Sequence, residues 1–338
     1  MRAAYVEELG PPEAIRVGQL PDPEPGPTDV LVRVWATTVN PVDTFVRSGV
    51  FRTPIPFPFV IARDLVGTVE RPGSAATGFE PGESVWSNSL GHGGRQGAAA
   101  EFAVVPADRL YRVPRGVDPQ DLLAVAHPGG TAHLALFPHG GLRAGETVFV
   151  AGAAGNVGAA LVAMAVQAGA EVVATCSARD IEYCQGLGAK DVFDYADPDL
   201  AERLREARPE GVDLWIDSYG VNDLTTAVGL LAPRGRIVLL AGVAARPALP
   251  VGPFYMKDAA IRGFVISHAS APDLARAAAG INRLVSQGQL RPRTVELCSL
   301  DEAGTAHSRM ERGELRGRRL IIATDPGAWT TRRKEAVR

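Results

Sequence analysis

The apolar positions of this chain follow two rhythms. From Met1 to about Val125, short runs alternate apolar and polar residues, as in Val30–Val34 (VLVRV), Val66–Val69 and Phe102–Val105. Turn signals at Pro21–Pro27, Gly73-Ser74 and Pro81-Gly82 separate them. A period of two with such punctuation predicts half-buried strands, hence a β-rich region of partly rolled sheet. From about Pro128 to Gly242 apolar strands alternate with helical runs. Strands are predicted at Thr147–Ala151, Glu171–Thr175, Val192–Phe193, Leu214–Asp217 and Ile237–Leu240, and helices over Ile181–Leu187, Leu200–Arg208 and Asn222–Leu231. This order predicts a parallel sheet covered on both faces. After about Ile261 the pattern is mixed again, with an Ala-rich helix at Pro272–Gln287 and a late strand at Arg319–Ala323. The polar tail after Trp329 is expected to fray. The simplest architecture is α/β: a doubly wound parallel sheet domain, residues 126–260, inserted into a discontinuous β-rich domain formed by residues 1–125 and 261–338.

Where the second rhythm begins, residues 148–158 read VFVAGAAGNVG, a strand breaking into Gly152, Gly155 and Gly158 and running straight into an Ala-rich helix over Ala159–Ala170. A dinucleotide pyrophosphate needs that order. One glycine permits the tight turn, one lets bare backbone approach the phosphates, and one lets helix pack on strand. The N–H groups that open the helix then face the anion. The spacing is GxxGxxG rather than GxGxxG, so a plain packing turn is the competing reading. The next strand, about 20 residues on, is where an adenosine ribose lies. It ends in Thr175-Cys176-Ser177-Ala178-Arg179 with no carboxylate to repel a 2′-phosphate. A hydroxyl and a guanidinium can hold one, which favours NADPH over NADH. Against this, Arg179 can equally be a solvated arginine that Asp180 neutralises.

Composition narrows the class. The chain has 338 residues, 46% apolar and 22% charged, with net charge −3. It is long enough for two domains and has no basic field for nucleic acid or for an anionic membrane. The first residues lack the features of a signal peptide, and no apolar run reaches bilayer length. Three cysteines, Cys176, Cys184 and Cys298, are too few for a disulfide framework and fit a reducing cytoplasm.

Several ordered motifs resemble one family nearly end to end. Asn40-Pro41-Val42-Asp43 with Arg47-Ser48-Gly49 is similar to an NPVDxxxRxG signature. Arg52–Phe59, Ala62–Gly67, Thr131-Ala132, Leu187-Gly188-Ala189, Tyr195, Asp217-Ser218 and Gly317-Arg318 follow in the expected order. The family is the medium-chain dehydrogenase/reductase superfamily, in its zinc-independent, zeta-crystallin-like quinone oxidoreductase branch. The resemblance implies a Rossmann-type domain inserted into a GroES-like catalytic domain. It also implies NADPH-dependent hydride transfer to a quinone or an α,β-unsaturated carbonyl, and a homodimer formed through the nucleotide-domain sheet edge, to which the apolar Gly235–Val243 strand would contribute. Zinc-dependent relatives carry a cysteine at Asn40 and Gly-His-Glu at Ala62-Arg63-Asp64, and their cysteine loop corresponds to Asn88–Ala100, which has none. Since zinc needs about four N, S or O ligands, no metal is expected.

Without zinc, hydrogen bonds must polarise the carbonyl. Asn40 is the first candidate for the nicotinamide–substrate pocket, with an Asx-type helix cap as the alternative. Asp43 and Arg47, four apart, suggest an intrahelical ion pair shaping the cleft. Phe51 stands where many relatives have a tyrosine; it offers a stacking face and no proton. His92 is a weak candidate to replace that proton donor, a solvated loop histidine being the alternative. His127, near the expected cleft, reads as structural. Phe51, Phe57 and Phe254 are expected to shape the pocket with Asp43. By resemblance, Thr131 lies near the nicotinamide, and Gly152, Ala154, Gly155, Asn156, Val157 and Gly158 cradle the pyrophosphate. Ser177, Arg179 and Tyr195 surround the adenosine phosphate, and Tyr219 lies near the adenine or ribose. Ala241, Gly242, Phe264 and Val265 flank the nicotinamide end. Two other readings stay open: an enoyl reductase dedicated to one unsaturated ketone or thioester, and a non-catalytic NADPH-binding protein.

Overall fold

The computed structural model describes residues 1–337. The chain divides into two compact units: Met1–His127 with Ser270–Arg338, and Pro128–Ala269. In the second unit, six parallel strands lie in the order Asp191–Asp194, Glu171–Cys176, Thr147–Ala151, Val212–Asp217, Leu231–Leu239, Ala260–Gly263. In sequence terms this is 3-2-1-4-5-6, the doubly wound order that reverses beside its first strand. Helices Asn156–Gln167, Ile181–Gly186, Leu200–Ala207 and Leu224–Leu230 make the crossovers. A buried cluster including Phe149, Val173, Leu204, Trp215, Val228 and Ile237 fills one layer, with Phe149 and Trp215 stacked at 3.7 Å between centroids.

The return to the first unit comes at Ser270 rather than at the expected 261, because Ala260–Gly263 pairs in parallel with Leu231–Leu239 as a sixth strand. The same pairing corrects the expected sheet edge. The Gly235–Val243 segment lies largely in strand Leu231–Leu239, which has a neighbour on each side, so the edge next to it is Ala260–Gly263 and the opposite edge is Asp191–Asp194.

The first unit is β-rich. Strand Asp29–Thr38 is its spine, paired with Leu65–Pro72, Phe102–Pro106 and Arg319–Ala323. Two register shifts against Leu65–Pro72 bend it, which rolls the sheet. Because Arg319–Ala323 docks on the end of this spine, the C-terminal segment completes a sheet begun some 280 residues earlier. A smaller sheet joins Arg16–Gln19, Arg2–Val6 and Phe59–Val60. Arg338 lies outside the described residues, while residues 330–337 of the tail expected to fray instead continue a helix over Pro326–Val337. Asp325 accepts the N–H groups of Gly327 and Ala328, at 3.0 and 3.1 Å, and so caps it. Trp329 is buried, and Arg333 forms a forked pair with Asp118, 2.6 and 2.7 Å from Nε.

Candidate functional site

In the nucleotide unit the glycine turn is built from backbone. Gly152 follows the first strand at φ +72°, a conformation glycine adopts without penalty. Gly155 caps the helix that starts at Asn156. A Cβ at Gly158 would lie 2.2 Å from the Gly152 carbonyl oxygen, whereas one at Gly155 would meet only that oxygen, at 3.2 Å. Gly158 is therefore required by helix–strand packing, while Gly155 keeps space open in front of the helix. Ala154, Gly155, Asn156 and Val157 are all half-buried. This turn fits a dinucleotide pyrophosphate.

At the end of the second strand the Ser177 hydroxyl donates to Asp180 at 2.6 Å, and Arg179 Nε lies 3.8 Å from the same carboxylate. The Asp180 carboxylate, expected only as a neighbour that could neutralise Arg179, is folded back from a short 3-10 turn onto Ser177 as well. The Arg179 side chain is 86% exposed and only loosely held. Tyr195 and Tyr219 are exposed. Phe264 stacks on His139 at 4.5 Å, with Val265 extended after it. Phe254 packs against the unit's core, so its ring supports the fold. Thr131 is buried on helix Pro119–Leu134.

Asp217, expected only as a strand end and part of an ordered motif, and Asn222 together organise this end of the sheet. Asp217 accepts the N–H groups of Tyr219, Gly220 and Asn222, at 2.7, 2.8 and 2.5 Å. Asn222 in turn donates to the Ala241 carbonyl at 2.9 Å. The loops after the fourth and fifth strands are thereby riveted, and Gly220 and Gly242 approach so closely that a Cβ on either would strike the other's backbone. The signal was an aspartate closing an apolar strand before a glycine-containing loop.

In the β-rich unit the chemistry lies in side chains. Asn40 caps helix Pro41–Ser48, with Pro41 at its first position and Gly49 ending it at φ +81°. Asp43 turns back to accept the Asn40 N–H at 2.8 Å. The Asn40 amide donates to Asp64 Oδ2 at 2.8 Å and Asp43 Oδ2 at 3.2 Å, and its oxygen accepts from Arg319 at 3.0 Å. Its donors are spent inside the protein, so Asn40 positions rather than polarises. The expected Asp43–Arg47 pair does not form. Asp43 pairs with buried Arg63 at 3.1 Å, while Arg47 reaches away to Glu311 and the Gly10 carbonyl. Burial pushes the Asp43 carboxyl up, against the nearby Arg63 charge. Burial also opposes ionisation of Asp64, but the His127 and Arg319 charges with the hydrogen bond from Thr38 prevail and hold it below the usual range.

His92 is buried rather than solvated, its Nδ1 3.0 Å from the Leu90 carbonyl and its Nε2 2.9 Å from Arg95. Since guanidinium only donates, Nε2 accepts and Nδ1 carries the proton. Phe51 packs against the unit's core and Phe57 is largely exposed. Zinc does not fit this group. Buried guanidinium groups already occupy the positions facing Asn40, Asp43 and Asp64, and a dication there would be repelled by Arg63 and Arg319. Among the described residues no group of three or more His, Cys, Asp or Glu is disposed to hold a metal.

Comparison with known proteins adds the following. Residues 26–115 match the alcohol dehydrogenase GroES-like domain, and residues 156–280 match the zinc-binding dehydrogenase family. The chain is 28% identical over 329 residues to a quinone oxidoreductase of Mus musculus, covering 95% of this chain and 97% of that one. It resembles a solved NAD-dependent alcohol dehydrogenase with a TM-score of 0.85 and 28% identity, over 96% of this chain and 100% of that one. A mycobacterial protein complexed with NADPH gives a TM-score of 0.81 and 28% identity, with the same coverage.

Proposed function

Since this chain belongs to the medium-chain dehydrogenase/reductase superfamily, in its quinone oxidoreductase branch, we propose that it is an NADPH-dependent, zinc-independent reductase of quinones or α,β-unsaturated carbonyls. The observation that carries this is the open glycine turn at Gly152–Gly158, where a half-buried helix N-terminus faces space that a side chain at Gly155 would fill. When bound there, the dinucleotide supplies a hydride from its nicotinamide. Gly155, Asn156 and Val157 would hold the pyrophosphate, Arg179 and Ser177 the 2′-phosphate, and the riveted Ala241-Gly242 loop the nicotinamide end. Arg179 supports NADPH, and the nearby Asp180 carboxylate limits the preference over NADH.

In the β-rich unit the buried network fixes Asn40, Asp43 and Asp64 in place without a metal. Phe57, its ring largely exposed, offers a stacking face that suits a flat acceptor. The unpaired strand edge Ala260–Gly263, with exposed Val251, Tyr255 and Met256 nearby in sequence, supports a homodimer. Three free cysteines support a cytoplasmic setting; among the described residues, no helix is long and apolar enough to cross a membrane.

The test is steady-state oxidation of NADPH with 9,10-phenanthrenequinone and a panel of enones and unsaturated thioesters. Turnover with the quinone and several enones is expected. Turnover confined to one thioester or ketone would make it a dedicated enoyl reductase. Tight NADPH binding without oxidation by any acceptor would make it a binding protein.

A further inference from the structure

Reduction of a quinone or enone adds a proton as well as a hydride, and the side chains of the β-rich unit can be tested one by one as its donor. Phe51 carries no acidic proton. The Asn40 amide is spent on two carboxylates. His92 has its proton on Nδ1, directed at the Leu90 carbonyl, while Nε2 accepts from Arg95. His307 is fully buried, and burial with the nearby Arg47 charge pushes its pKa down to about 3. One imidazole of this unit remains, His127, which retains a little accessible surface on its side chain.

Its setting is specific. Asp64 Oδ2 is saturated by Thr38 Oγ1 at 2.7 Å and the Asn40 amide at 2.8 Å. The other oxygen, Oδ1, has no hydrogen-bond partner and faces His127 Nδ1 at 3.5 Å, itself otherwise unpartnered. That separation is longer than a hydrogen bond and needs a closure of about half an ångström, the kind of slack usual in a site without its ligands. With Nδ1 turned to the carboxylate, Nε2 is the nitrogen left to meet a substrate. The other charged groups around the pair are Asp43 and Arg63, bonded to each other, and Arg319, 3.8 Å from Asp64. Two carboxylates and two guanidinium groups balance, so a proton on His127 meets no unpaired cation.

We propose that His127, oriented by Asp64, is the catalytic acid of this reductase, donating through Nε2 to the oxygen of the acceptor. As the acceptor gains hydride, negative charge collects on its oxygen. There an O–H bond forms while the Nε2–H bond breaks, and the neutral imidazole is reprotonated by solvent. Asp64 steadies the imidazolium without itself taking the proton, the division of labour of an Asp–His pair in general acid–base catalysis. The proposal rests on the reductase reading above, and one arm of its test does not.

In the NADPH-loaded enzyme, His127→Gln should lower kcat by roughly 10²-fold or more while leaving NADPH affinity unchanged. The wild-type rate should decline toward alkaline pH with one ionisation, a limb absent from His127→Gln and moved to lower pH in Asp64→Asn. If His127→Gln folds and turns over with the wild-type pH profile, the proposal is overturned; if it fails to fold, Asp64→Asn decides by whether its limb moves. The independent arm is ¹⁵N-histidine NMR of the cofactor-free chain. The His127 ring resonances should move in Asp64→Asn, because the carboxylate that faces Nδ1 is gone. Ring resonances unchanged by that substitution overturn the proposal even if the enzyme reduces quinones. No NADPH oxidation by wild type, with the Asp64-dependent change present, would instead count against the reductase reading alone.

Discussion

The two units build their sites by different means. In the nucleotide unit, the cradle is a contiguous stretch of backbone: a strand end, three glycines and a helix N-terminus within Gly152–Gly158. In the β-rich unit, the reactive groups are side chains gathered from segments far apart in sequence: Thr38 and Asn40, Asp43, Arg63-Asp64, His127 and Arg319. The first kind of site is held by the absence of atoms, and every glycine has a steric reason. The second is held by charge balance in a buried space, so each member matters through its partners.

Substitutions can break that contrast. The largest effect is expected within the glycine turn. Gly158→Val drives a Cβ to 2.2 Å of the Gly152 carbonyl oxygen, so the nucleotide unit should lose about 4 kcal/mol or more, measured by urea unfolding. Gly155→Val, with its nearest contact at 3.2 Å, should stay folded and lose dinucleotide affinity by roughly 100-fold in a fluorescence titration. Equal stability losses at both positions would remove the distinction between packing glycine and cradle glycine.

The network in the β-rich unit should respond to loss of one partner. Arg319→Leu leaves Asp64 and Asn40 without their cation and should cost about 3–5 kcal/mol in chemical denaturation. A loss below about 1 kcal/mol would mean the guanidinium is not part of the balance. His307 offers a gentler probe of the same unit. It is neutral in the fold, with its pKa pushed down to about 3, while the unfolded chain takes up a proton near the ordinary histidine value. The unfolded state thus binds more protons over that window, and stability should fall as pH drops from about 6.5 toward 3, by about 1.4 kcal/mol per pH unit. His307→Leu should lack this component in a pH series of melts, and an unchanged acid slope would refute it. Smallest of all, Arg179→Ala should weaken NADPH about tenfold and leave NADH nearly unchanged, by isothermal titration. Equal losses would show that Arg179 does not read the 2′-phosphate.

The same contrast explains what could be read from the sequence. Strands Thr147–Ala151 and Arg319–Ala323 and the helix near Pro272 are local patterns, visible because their apolar period is unbroken. The glycine turn was visible for the same reason. Helix Pro119–Leu134 was hidden by Pro128-Gly129-Gly130 in its interior, and the final helix by its polar composition, although Asp325-Pro326 is a start signal. The Asp43–Arg47 pairing was inferred from helical spacing, and failed because buried Arg63 and Glu311, distant in sequence, offer each partner a better match. Asp180 shows the same limit at short range: its position was plain, but not its turn back to Ser177.

The most direct measurement of the central claim follows the hydride itself. The protein would be given NADPH deuterated at the nicotinamide C4 together with an enone, and the product examined by NMR. The account predicts deuterium on the β-carbon and a solvent proton at the α-carbon. Product without deuterium at the β-carbon, or no product from quinones and enones while NADPH stays bound, would contradict it.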